Sequence, residues 1–340
     1  MHQAGDLELF IFSCDGNNAM LNAEQNQSKV PNDKMAQISL FAKGVAMGAA
    51  DVVPGVSGGT IAFISGIYEK LIGSISRIDF SLWTRFRDSG FAGVWQYING
   101  TFLLVLFSGI LLSILSFARL ITYLLATYPE IVWAFFMGLI LAGAVYIGRQ
   151  IVKWDALNGV ILLVGIAVAY GITTISPANL GDSPLLIFLA GVIAISAMIL
   201  PGISGSFILL LMGMYSVVLD AVTRFDIMVM LIFALGCGVG LLIFSKVLTW
   251  LFNHFKWQTL ALLTGFMLGS LNKVWPWKET ISTRINSKGE TVPFIQDNVM
   301  PATYSEITGQ DPQIIMIVAA ILIGFILVWG LERLAQQESL

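Results

Sequence analysis

The sequence predicts an all-α polytopic membrane protein with two inverted repeats, each holding a Pro-Gly-broken re-entrant helical hairpin, and about six full transmembrane crossings. Three observations lead there. Of the 340 residues, 56% are hydrophobic and only 11% charged, where a soluble domain carries about 25% charged residues. Apolar runs of roughly 20 residues recur, each long enough for a hydrocarbon core of about 30 Å. The stretch "VVPGVSGGTIAFISGIY" at 52–68 returns as "ILPGISGSFILLLMGMY" at 199–215, 147 positions later.

The rest of the composition removes other classes. A net charge of -3 supplies no basic field for nucleic acid. Cys14 and Cys237 are far apart and suggest neither a disulfide framework nor a metal cluster. His2 and His254 have no zinc-ligand spacing.

Residues 1–37 read as a disordered polar tail, since "GNNAMLNAEQNQSKVPNDK" lacks any apolar period. The short run "LELFIFSC" is flanked by acids where a signal peptide carries Lys or Arg, which argues against a cleaved signal. The first repeat then occupies 38–175, with apolar segments at 38–72, 101–127, 130–149 and 157–175. Between the first two lies 73–100, where Arg77, Arg85 and Arg87 stand among Trp83 and Phe86, the pattern of an interfacial amphipathic segment. The second repeat spans 185–275, with segments at 185–220, 227–252 and 258–274. An extramembrane loop is expected at 276–312, and 313–340 holds the last crossing and the C-terminus. With the N-terminus inside, twelve of the 18 basic residues fall toward the cytoplasm, which favours N-in and C-in.

The repeat extends beyond the breaks. "SFARLITYLL" at 116–125 matches "IFSKVLTWLF" at 243–252 at an offset of 127, the first copy having the extra interfacial segment. That alignment sets Arg119 opposite Lys246 and Gly138 opposite Gly265. Three crossings separate the hairpins, and an odd number inverts the second copy.

The breaks carry the chemistry. Unpaired backbone in lipid costs several kcal/mol per group, so a break must face protein or a watery cavity. In "PGVSGGT" and "PGISGS" a half-helix starts among small residues, and a helix N-terminus with open N–H groups attracts anions. Gly55, Ser57, Gly58, Gly59 and Thr60, with Gly202, Ser204, Gly205 and Ser206, are therefore candidates to hold a phosphate or carboxylate. The plainer reading is a Gly/Ser hinge packed close to a neighbouring helix. Arg119 and Lys246, each about two turns inside an apolar segment, are candidate phosphate ligands, with snorkelling as the alternative. Asp51 and Glu69 flank only the first break, since Met198 and Ser216 occupy the matching places. Asp51 can cap a helix or exchange a coupling proton or sodium ion; Glu69 can do the latter or form an interfacial salt bridge.

The runs "GVAMGAADVVPGVSGGTIAFISGIYEKL", "YPEIVWAFFMGLILA" and "LPGISGSFILLLMGMY" resemble the polyprenyl-phosphate transporter family, over roughly 38–335. The resemblance implies a non-enzymatic carrier that returns undecaprenyl phosphate across the bacterial inner membrane for envelope synthesis. It implies no cofactor beyond a coupling ion and no nucleic-acid partner, and leaves a homo-oligomer open. Undecaprenyl-pyrophosphate phosphatases also combine inverted repeats with a Pro-Gly-x-Ser loop. Theirs continues Ser-Arg-Ser and is served by a Glu-rich helix, whereas this chain has neither feature. A small-anion carrier would share the loops without needing a route for a lipid tail.

Overall fold

The computed structural model describes residues 34–52, 56–175, 181, 183–285 and 291–337. The expected tail up to residue 33 and the centre of the first break, 53–55, lie outside them. The last residues assigned to that tail are helical, because the first helix already starts at Lys34.

The first half of the chain forms α1 (Lys34–Asp51), α2 (Gly58–Ile64), α3 (Tyr68–Ser76), α4 (Ser81–Tyr97), α5 (Gly100–Thr127), α6 (Pro129–Gln150) and α7 (Ala156–Thr174). The second forms α8 (Pro184–Ile199), α9 (Gly205–Leu211), α10 (Tyr215–Arg224), α11 (Ile227–His254) and α12 (Lys256–Ser270), then β1 (Lys278–Ile285), β2 (Thr291–Asn298), α13 (Pro301–Thr308) and α14 (Ile314–Gln337). Among the described residues, α6, α7 and α11 are long and apolar enough to cross a membrane alone, and counting each bent pair as one span gives up to five. The fold is thus mostly helical and polytopic.

Small residues set the packing, as expected where lipid gives no hydrophobic drive between helices. α1 lies on α5 and α8 lies on α11. A Cβ at Gly44 or Gly109 would strike the backbone of the facing helix, and the same holds for Gly191 and Gly236, 147 and 127 residues on. α6 pairs with α14 and α12 with α7. There Gly138 abuts the Ile321 carbonyl and Gly265 the Leu162 carbonyl. The last helix of each half therefore packs on the other half and interlocks them.

Both hairpins turn by one device. Gly66 and Gly213 take left-handed φ values of 73° and 72°, a conformation that glycine enters without strain. Ile67 N–H donates to Ala62 O and Met214 N–H to Leu209 O, closing a Schellman cap on α2 and on α9. In the second half α9 and α10 bend by 112° across this turn.

The expected extramembrane loop is structured. β1 and β2 form an antiparallel hairpin with an irregular register near Ser282. Trp275 and Trp277 donate to the carbonyls of Val299 and Pro312 at 2.9 Å each, and Tyr304 of α13 donates to Glu130 at 2.7 Å. These polar ties run over distances in sequence that no local pattern betrays. α4 buries none of its residues and leaves Phe80, Trp83, Phe86 and Phe91 exposed on or beside it, as an interfacial segment would.

Gly236 and Gly238 test this packing from one helix. An added methyl at Gly236 meets the Phe188 carbonyl, whereas at Gly238 it meets nothing within 4 Å. Gly236→Ala should cost about 1–3 kcal/mol of stability, read as a lower unfolding midpoint in detergent. Gly238→Ala should be neutral or mildly stabilising. Equal midpoints would contradict the close approach of α8 and α11.

Candidate functional site

The two breaks meet. Ser57, with extended φ -122° and ψ 133°, is the N-cap of α2, and its Oγ accepts from Gly59 N–H at 3.0 Å. The same hydroxyl donates to the carbonyl of Met198 at 2.8 Å, near the end of α8. In return Gly202 N–H, with φ 87°, donates to Thr60 Oγ1 at 3.0 Å. Two hydrogen bonds thus join loops more than 140 residues apart in sequence. Ser57, Thr60 and Ser204 are all buried. Buried backbone groups need such partners, because one left unpaired costs about 1–3 kcal/mol.

Asp51 completes the first loop. It ends α1, and its Oδ1 accepts from Gly58 N–H at 2.6 Å. The chain's own carboxylate therefore occupies the place at the start of α2 expected for an external anion. In the second loop Met198 stands where Asp51 does in the first, against Gly205. Ser204 caps α9 by accepting from Phe207 N–H at 3.5 Å and shares a 2.9 Å hydrogen bond with Ser206.

The glycines are explained by contact rather than by an open cradle. A Cβ on Gly58 would lie 2.5 Å from Asp51 Oδ2, on Gly59 2.5 Å from the Ile199 carbonyl, and on Gly205 2.5 Å from the Ala194 carbonyl. Gly59 is the seam between the loops. In this conformation the protein itself engages the N–H groups of Gly58, Gly59 and Gly202 and the hydroxyls of Ser57, Thr60, Ser204 and Ser206. Gly55 lies outside the described residues.

The predicted charged residues part company. Lys246 Nζ is 3.5 Å from Asp79 Oδ2, with both side chains partly exposed, so it is engaged in a surface pair and not with the loops. Glu69 pairs with Lys256 at 3.0 Å, again half-exposed. That is an ion pair, with a partner from α12 that sequence spacing could not reveal. Such exposed pairs contribute about 0–1 kcal/mol. Arg119 stands in α5, but its side chain lies outside what the structure describes.

Two cations near the second loop escaped the sequence reading. Lys273 Nζ sits 4.3 Å from the centroid of the Phe207 ring in α9. Lys278, at the start of β1, places Nζ 4.1 Å from the Trp133 ring centroid and donates to the Lys273 carbonyl at 2.7 Å. Burial, aided by the charge of Lys273, holds the Lys278 ammonium well below the usual lysine range. Both follow the apolar window of α12, where lysines read as ordinary loop residues; the neighbouring Trp275 and Trp277 were the available signal.

Residues 47–292 match a family described as undecaprenyl phosphate translocase-like. A polyprenyl-phosphate transporter of Vibrio cholerae serotype O1 is 50% identical over 303 residues, covering 89% of this chain and 98% of that protein. A polyprenyl-phosphate transporter of Staphylococcus aureus is 38% identical over 257 residues, covering 69% of this chain and 84% of its own length. No solved structure matches.

The seam can be measured by a double-mutant cycle. Ser57→Ala strips the Met198 carbonyl of its donor, and Thr60→Val strips Gly202 N–H of its acceptor. Each should lower unfolding stability by about 1–3 kcal/mol. Because both bonds hold the same pair of loops, the double variant should lose less than the sum. Strict additivity would show that the loops are held independently of each other.

Proposed function

The chain belongs to the undecaprenyl phosphate translocase-like family, and on that premise we propose that it moves undecaprenyl phosphate, a polyprenyl phosphate, between the leaflets of the bacterial cytoplasmic membrane without altering it chemically. One observation carries the reading: two broken-helix loops, one from each half, meet and hydrogen-bond at Ser57–Met198 and Thr60–Gly202. Discontinuous helices joined at the interface of two repeats are a recurring way to build a substrate site near the bilayer midplane. The relatives named above as transporters support translocation over catalysis.

In the proposed cycle the halves are inverted repeats with about six crossings in all, N-in and C-in. The recurrence of glycine contacts at offsets of 147 and 127 supports the repeat, and the Lys/Arg bias supports the orientation. Parting of the loops frees the Ser57 and Thr60 hydroxyls and the Gly202 N–H from their bonds across the seam. Ser57, Thr60, Ser204 and Ser206, with the N–H groups of Gly58, Gly59, Gly202 and Gly205, then turn to the phosphate. Gly55 and Arg119 are placed with them. Asp51 must leave Gly58 N–H before a phosphate oxygen can take it, and a carboxylate that departs by taking up a proton would couple transport to protons. Lys246 and Glu69 remain in their ion pairs and take no part.

Liposomes holding the purified protein test the reading. A labelled polyprenyl phosphate should move between leaflets, and no inorganic phosphate should appear from the monophosphate or the pyrophosphate. Asp51→Asn should slow translocation by at least about tenfold and flatten its dependence on pH, since a neutral amide exchanges no proton. Phosphate release that vanishes in Asp51→Asn would replace the carrier with an enzyme.

A further inference from the structure

Neither loop accounts for two further cations on the opposite flank of the first hairpin. Lys70, in α3, and Arg149, in the last turn of α6, line one cavity of about 620 Å³ with Phe63, Tyr68 and Tyr146. They come from helices 79 positions apart in sequence, and both are exposed. Neither has a carboxylate partner among the described residues: Glu69, in the same wall, is already neutralised by Lys256. The buried Tyr68 hydroxyl makes no hydrogen bond within the protein, although such groups are nearly always satisfied. The cavity therefore offers two positive charges without a carboxylate partner, in a wall that Tyr68 shares, and the Lys70 ammonium also lies 4.9 Å from the Phe102 ring centroid.

Its wall continues into an apolar recess. Tyr146 and Arg149 also line a second space of about 340 Å³ between α6 and α14, bounded by Ala142, Val145, Phe325 and Trp329. Val145, Phe325 and Trp329 are partly open to the outside of the helix bundle. A polar chamber with two cations thus shares a wall with a groove of hydrocarbon character. An inorganic anion would use only the first. A lipid with a phosphate head and an apolar chain would use both.

We propose that Lys70 and Arg149 form the docking site for the head group of a polyprenyl monophosphate, with the first isoprene units lying in the recess between α6 and α14. The proposal rests on the translocation reading and adds to it the place where the lipid is received before it reaches the loops. A phosphate monoester carries about -1.5 to -2 charge at neutral pH. Arg149 can grip two of its oxygens at once, while Lys70 acts as a point charge. Phe63 and Gly66 belong to both the cavity wall and the α2–α3 hairpin, so the docked head group lies against the element that carries the first loop.

The experiment measures binding to the full chain in phosphatidylcholine nanodiscs, with fluorescent polyprenyl monophosphate as probe and inorganic phosphate and polyprenol as competitors. Lys70→Gln and Arg149→Gln should each weaken the probe about tenfold, the loss expected for one charge-assisted hydrogen bond. Arg149→Lys should lose less. Val145→Trp should weaken the probe while leaving competition by inorganic phosphate unchanged, since only the tail meets the recess. Elution profile and unfolding midpoint show that each variant is folded. Full affinity in the Lys70→Gln, Arg149→Gln double variant would overturn this site and leave the translocation reading standing. Inorganic phosphate competing as well as unlabelled lipid would overturn the tail recess and with it a lipid-specific dock. Failure of the unaltered protein to bind the probe would overturn both the site and the translocation reading.

Discussion

A polypeptide inside hydrocarbon must satisfy its own backbone, and this chain breaks two apolar helices, each break leaving groups that need partners. The breaks solve the problem jointly. The first loop supplies a hydroxyl donor to the Met198 carbonyl and a hydroxyl acceptor to Gly202 N–H, while the first N–H of α2 is taken by Asp51. The small residues follow from this arrangement, because any side chain at position 59 would push the Ile199 carbonyl away. The interlocked helices around the loops, α14 on α6 and α7 on α12, hold the halves in the register that lets them meet.

The two halves are alike in packing but unlike in chemistry. Asp51 caps α2, whereas its counterpart Met198 offers no acceptor side chain to α9. α3 rests on α11 with the Tyr68 ring 6.0 Å from that of Phe252, and Phe63 of α2 joins the cluster at 4.6 and 6.4 Å from them. α10, the counterpart of α3, packs on α11 as well. The charged groups divide too: Lys70 and Arg149 flank the first hairpin, and Lys273 stands over Phe207 of the second.

What the sequence made legible was whatever repeats or breaks a period. The Pro-Gly punctuation marked both loops, and the recurrence of Gly44 as Gly191 and Gly109 as Gly236 reflects equivalent helix contacts. The exposure of α4 could be read from its arginines among aromatics. The β-hairpin was missed because its strands are short, polar and held by long-range ties such as Trp277 to Pro312. The partners of the charged residues were missed for the same reason. Nothing in the spacing says that Lys246 will meet Asp79, that Glu69 will meet Lys256, or that Lys70 will share a cavity with Arg149. Nor does a glycine-rich start to a half-helix reveal whether its N–H groups face a ligand or, as with Gly58, a carboxylate of the same chain.

The central claim is that the seam between the loops opens and closes as lipid crosses. Cysteines placed at Ser57 and Met198, on the two sides of the seam, in a chain whose own Cys14 and Cys237 have been replaced, tie the seam shut once bonded to each other. Translocation of labelled polyprenyl phosphate should stop on oxidation and return on reduction. Undiminished translocation by protein shown to be fully crosslinked would contradict the account.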